Sequence, residues 1–249
     1  MRNVPSTLGA AVCAAFALLP VPVPADTAPL PALKVLRHLT FAIDVDVERR
    51  TDTNVSGIGG PPSGIASNTG TALGHGTIAV DVVAATGDGG IVLDISEDTD
   101  ARKFGTVRAA VLGSTVSYDA SKDVSLEERE VLRLLSRSFV KDGEIAVGTA
   151  WTAQAQGNGD SESTTYTVTA LDADTKTIDI AVAGTMAQKG ADGFDGTTSG
   201  SVRYDMGTLV PLQFSLHVRK RTQPLGQVVT VDTKLTATLT SDSFRKPAS

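Results

Sequence analysis

The stretch VLRHLTFAIDVDVER, residues 35–49, decides the reading of the fold. Its odd positions carry Leu39, Phe41, Ile43, Val45 and Val47, and its even positions His38, Thr40, Asp44, Asp46 and Glu48. Successive side chains of an extended chain point to opposite faces. A period of two over this length therefore predicts a long strand with one face in a core and the other in water. Downstream, residues 52–76 lose the alternation among Gly, Ser, Pro, Asn and Thr. They read as a long flexible loop. Strand character returns over 77–86, breaks at Gly87-Asp88-Gly89-Gly90 and resumes over 91–96, which is a hairpin signal. Another strand or pair of strands is expected between Lys103 and Tyr118.

A helix is predicted to begin at Ser125. Ser125 and Glu128 form a Ser-x-x-Glu capping box, which satisfies two backbone amides that a helix start leaves open. Glu127, Glu128 and Glu130 sit toward the positive end of the helix dipole and Arg133 and Arg137 toward the negative end. Val131, Leu132, Leu134, Leu135 and Phe139 supply an apolar stripe for docking on a sheet, and Asp142-Gly143 then turns the chain.

Beyond the helix, strands are expected over 145–154, 163–171, 177–186, 200–204, 209–220 and 227–240. Turn chemistry separates them at Gly157-Asn158-Gly159, Asp172-Ala173-Asp174, Asp205-Met206-Gly207 and Gln223-Pro224-Leu225-Gly226. Ile178, Ile180 and Val182 alternate with Asp179 and Ala181, the pattern of an antiparallel sheet with one wet face. The expected fold is mainly β: a curved antiparallel sheet or half-barrel of about ten strands with one docked helix, forming a single domain over residues 26–249.

The first 25 residues read as an export signal. Arg2 precedes an apolar run over 10–19, and Val23 and Ala25 fit the small-residue rule for cleavage after Ala25. The run is about half the ~20 residues of a spanning helix, so no transmembrane span is expected in the mature chain. Cys13, the one cysteine, lies within this leader without the leucine that usually precedes a lipidated cysteine. The mature chain then has no thiol for a disulfide, a zinc ligand or a nucleophile. The expected location is the periplasm or the cell exterior.

The order of elements, with Gly148-x-x-Trp151 after the helix and Tyr204-Asp205 closing a later strand, resembles uncharacterised secreted β-rich domains of bacteria. More distantly, it is similar to the half-barrel of the lipoprotein-localisation carriers. The resemblance runs over about residues 126–239. It implies a sheet wrapped around a helix and a concave wall able to hold an apolar ligand. Those walls are rich in large apolar side chains, whereas this chain is 4% aromatic.

No residues stand out as catalytic, cofactor-binding or metal-binding. His38, His75 and His217 are far apart in sequence, without the close spacing of a metal-binding pair. Asp44, Asp46 and Glu48 form a row of carboxylates on one strand face, and Asp192 and Asp195 fall in the Gly-rich segment 189–200. Neither group has the spacing of a calcium loop. The chain lacks a G-x-S-x-G elbow and a P-loop, and the Gly-rich stretch 57–64 leads into no helix pattern. Trp151 reads as a core anchor. The formal net charge is −6, and the one tight basic cluster is Arg219-Lys220-Arg221, so nucleic acid is not an expected partner.

These observations lead to the expectation of an exported, non-enzymatic β protein of the bacterial envelope with a binding or structural role. Its partner would be an apolar small molecule or an envelope protein, and no cofactor is implied. The alternatives are a periplasmic carrier of lipid or another apolar ligand, and a polymer-acting hydrolase using two carboxylates.

Overall fold

A computed structural model describes residues 35–54, 65–87, 89–100, 105–112, 115–118, 124–136, 145–157, 160–190, 193–224 and 227–244. The expected leader, Arg137, Phe139, the Asp142-Gly143 turn and Asp192 lie outside these residues. Among the described residues, eleven strands form one open antiparallel sheet. In chain order they are β1 (Arg37–Asn54), β2 (Ile65–Ala85), β3 (Ile91–Thr99), β4 (Val107–Leu112), β5 (Thr115–Tyr118), then α1 (Leu126–Leu135). There follow β6 (Ala150–Gly157), β7 (Asp160–Asp172), β8 (Thr177–Gln188), β9 (Phe194–Asp205), β10 (Pro211–Thr222) and β11 (Gln227–Asp242). The order across the sheet is β5-β4-β3-β2-β1-β11-β10-β9-β8-β7-β6. Two meanders, β1 to β5 and β6 to β11, are thus joined where the first strand pairs with the last.

The alternation of residues 35–49 appears directly as burial. Leu39, Phe41, Ile43 and Val45 face the core, with Ile78 and Val80 of β2 beside them on one side and Leu235 and Ala237 of β11 on the other. The same inner phase continues through Phe214 and Leu216, Val202 and Tyr204, Ile178 to Val182, and Tyr166. The sheet curves around α1, whose Val131, Leu132 and Leu134 are fully buried in this core. At about 25 cal/mol per Å² of apolar surface, burial of the stripe, more than the intrinsic propensity of a ten-residue helix, holds α1 in place.

Polar contacts tie α1 to both meanders. The capping box at Ser125 is complete: its Oγ accepts from the Glu128 N–H at 2.9 Å, and Glu128 Oε2 accepts from the Ser125 N–H at 3.0 Å. The Ser125 hydroxyl also donates to Glu97 on β3 at 2.5 Å. From the other end of the helix, Arg133 donates to Glu162 (2.8 Å) and Thr164 (3.0 Å) on β7, while the Tyr204 hydroxyl on β9 donates to the Leu134 carbonyl at 3.1 Å.

Several boundaries differ from the sequence reading. The segment expected as a loop over 52–76 is strand over 52–54 and 65–76, because the β1–β2 ladder runs unbroken from Arg37↔Val82 to Asn54↔Ile65. Only residues 55–64 of that expected loop lie outside the description. Ile65 through Leu73 are exposed on both faces, so the alternating burial that marks a strand never arises there; the partner ladder alone sets the conformation. The Gly-rich segment 189–200 likewise gives way to β9 at Phe194. Gly200 reaches φ +155°, and a Cβ there would stand 2.0 Å from the Ser215 carbonyl oxygen, so glycine lets β9 and β10 approach at this point. Residues 145–149 form a turn with Gly148 at φ +88°, and β6 starts only at Ala150. The expected strand or pair before the helix is a pair, β4 and β5.

Candidate functional site

The outer phase of β1 carries the acids that the sequence placed in one row, and the sheet distributes them. Asp44 accepts from His75 on β2, Asp46 lies 3.9 Å from the Lys234 ammonium on β11, and Glu48 lines an open depression at the far end of the sheet. Cross-strand register assembles that depression: Glu48, Arg50 and Asp52 of β1 lie beside Asp232, Thr230 and Val228 of β11. Arg219 and Arg221 of β10 come next, then Thr197 and Asp195 of β9. Its volume is about 630 Å³.

Charge of both signs lines the depression. Arg50 Nε donates to Asp52 Oδ1 at 2.9 Å, and the Ser67 hydroxyl donates to the same oxygen at 2.5 Å. These bonds, the Ser67 one foremost, hold the Asp52 carboxyl below its ordinary pKa. Asp232 accepts from His217 Nε2 at 3.1 Å and stands 3.5 Å from Arg219 Nε. Glu48, Asp195 and Arg221 form no ion pair among the described residues. Three guanidinium groups and four carboxylates therefore share a wet concavity with part of their charge unspent on one another. Such a surface can grip a ligand that itself carries both signs, and fork-shaped guanidinium groups favour carboxylate oxygens.

Arg219-Lys220-Arg221, one cluster in the sequence, is split by the pleat. Arg219 and Arg221 face the depression, whereas Lys220 points to the inner phase, its ammonium 3.9 Å from the centre of the Phe194 ring.

The three histidines do not converge. Each pairs with an aspartate on the neighbouring strand: His38 with Asp81 at 2.6 Å, His75 with Asp44 at 2.5 Å, and His217 with Asp232. The bond to the Asp44 carboxylate raises the His75 pKa. Among the described residues no three His, Cys, Asp or Glu side chains stand close enough to share a metal ion. Trp151 is half-buried against the core at the start of β6.

A group of buried acids escaped the sequence reading. Glu97, Glu127, Glu128 and Glu130 are all buried. Burial is the main cause that pushes the Glu128 carboxyl up to about 7, with Glu97 and Glu127 adding to it. Burial also raises the pKa of Glu130, against the opposing pull of its ion-pair partner Arg133. The available signal was spacing: Glu127, Glu130, Val131 and Leu134 recur at three- and four-residue intervals, which puts these acids on the apolar side of α1.

No protein-family profile matches the chain, and no curated protein matches it in sequence.

Proposed function

We propose that the chain is an exported, non-enzymatic binding protein of the bacterial envelope, whose ligand is polar and carries both carboxylate and ammonium groups. The peptide stems of cell-wall polymer have this chemistry. The observation that carries the reading is the depression between β1 and β9, where Glu48, Asp195 and Arg221 remain available to an incoming ligand. Export rests on the leader sequence, with Arg2 ahead of its apolar run.

The open, curved sheet favours a second reading, a carrier of lipid or another apolar ligand. Against it, the stripe of α1 packs against the inner-face residues of the sheet in one core cluster. The hydrolase reading has less support. The acids with raised pKa are buried around α1, and those of the depression are exposed or paired with arginine.

Titration of the ¹⁵N-labelled protein with a disaccharide-tetrapeptide from digested cell wall tests the proposal. We expect amide shifts at Asp195, Thr197, Arg221 and Thr230, and affinity weakened about tenfold, or ~1.4 kcal/mol, in Arg221→Ala. Shifts confined to inner-face amides on adding a fatty acid, with none from the sugar peptide, would transfer the reading to the carrier.

A further inference from the structure

Among the described residues, the edge of β2 is bare over half the strand. β3 pairs with β2 only from Gly76 onward, so Ile65 to Gly74 have β1 on one side and no strand among the described residues on the other. Ile65 through Leu73 are all exposed. Natural edges are usually blunted by charge, proline or a bulge. This one has none of these: the sequence IASNTGTALG over 65–74 contains no charged residue and no proline, and its register with β1 shows no shift.

The direction of the free groups is fixed by His75. Its carbonyl accepts from the Asp100 N–H at 3.0 Å and its N–H donates to the Asp100 carboxylate at 2.9 Å, so its backbone groups point away from β1. Backbone groups alternate side to side along a strand. Hence Ile65, Ser67, Thr69, Thr71 and Leu73 all offer an N–H and a C=O to the open edge.

We infer that this edge pairs with the same edge of a second copy, antiparallel, about a two-fold axis through Thr69. The pattern of side chains selects that register. The two large apolar residues of the segment, Ile65 and Leu73, are each 67% exposed and lie four residues to either side of Thr69. Pairing about Thr69 sets Ile65 of each copy against Leu73 of the other, on the outer face, twice per dimer. Ser67 then meets Thr71, a favourable cross-strand hydroxyl pair, and small Ala66 meets small Ala72. Every outward N–H finds an outward C=O, giving about ten new backbone bonds along about 30 Å of edge. The match ends at Leu73, before β3 takes over the edge at Gly76. A self-complementary patch related by a two-fold axis closes on itself and leads to a dimer, not a fibre.

Sedimentation equilibrium of the full processed chain at about 100 µM tests this, and a dimer is expected. Thr69→Pro removes an N–H that faces the open edge, and Leu73→Lys places a charge in the pair; each is expected to give a monomer with an unchanged far-ultraviolet spectrum. Register is read by cysteines introduced into the processed chain, which carries no other thiol. Ala66→Cys with Ala72→Cys brings thiols to about 4.5 Å Cα separation across the axis, and mild oxidation is expected to yield a covalent dimer, which Ala66→Cys alone does not. A chain that stays monomeric at every concentration overturns the inference and leaves the edge to a strand of another protein. A dimer that survives both Thr69→Pro and Leu73→Lys, or that crosslinks equally through Ala66→Cys alone, overturns it as well.

Discussion

Arg37 and Asp242 face each other as a bidentate pair, Nε to Oδ1 at 3.0 Å and Nη2 to Oδ2 at 2.7 Å, although 205 positions separate them. The pair is buried, and the guanidinium also lies 5.0 Å from the centre of the Phe244 ring. It clasps the start of β1 to the end of β11. Removing one partner leaves an uncompensated buried charge, so Arg37→Ala should cost about 3–5 kcal/mol. The double variant Arg37→Met with Asp242→Leu should recover most of that loss. Equal destabilisation of the single and double variants in urea would show that the charge itself is not what matters.

Helix docking gives a graded pair of outcomes. Leu132→Ala, or Leu135→Ala one turn along the stripe, should destabilise by about 2–5 kcal/mol through lost burial and the cavity left behind. Ser125→Ala should fall near the upper end of the ~0.5–2 kcal/mol range for a lost cap, because it also strips Glu97 of a buried donor. Unchanged denaturant midpoints in Leu132→Ala would make α1 peripheral to the core.

Glu128 sets a pH dependence. Its carboxyl titrates near 7 in the folded chain against an ordinary value of 4.5. Between these values the folded state holds a proton that the unfolded state has released, so stability falls as pH rises from about 4.5 to 7. The melting temperature should therefore be higher at pH 5 than at pH 7.5. Glu128→Gln, which keeps the capping geometry, should shrink that difference. A pH profile identical in the parent and Glu128→Gln would refute the assignment.

Gly200→Ala should destabilise by about 2–3 kcal/mol or more, because the added methyl meets the Ser215 carbonyl and the backbone leaves the conformation an L-residue prefers. Gly70→Ala, where a Cβ has open space, is the control and should change little. Comparable losses at the two positions would mean that local strand entropy, not the close approach, governs the effect.

Processing after Ala25 should leave Asp26 as the first residue of protein recovered from the cell envelope, which mass spectrometry of the intact chain reads directly. Recovery of a chain beginning at Met1 would remove the export premise.

The strands legible in the sequence were those whose alternation reports burial. β1, β8 and β10 could be read because one face of each enters the core, and α1 because Ser125 and Glu128 announce its start. The first halves of β2 and β9 could not. Ser67, Asn68, Thr69 and Gly70 contribute nothing to the core, and they are extended because β1 offers them a ladder. The depression was hidden for a related reason. Glu48, Asp195, Arg219 and Asp232 become neighbours only through the β1–β11, β10–β11 and β9–β10 registers, which no local pattern encodes.

The central seam between β1 and β11 has a consequence for how the molecule comes into being. Each meander can form from contacts close along the chain, but the joined sheet is complete only when β11 pairs with β1. The ladder from Leu39↔Asp242 to Thr53↔Gln227 closes a loop of nearly the whole domain. Contacts of such long sequence separation slow folding, so the seam is expected to form late, with the β1 and β11 edges exposed until it closes. A sheet completed only when β11 meets β1 would suit the export proposed above, since an exported chain must remain unfolded until it has crossed a membrane.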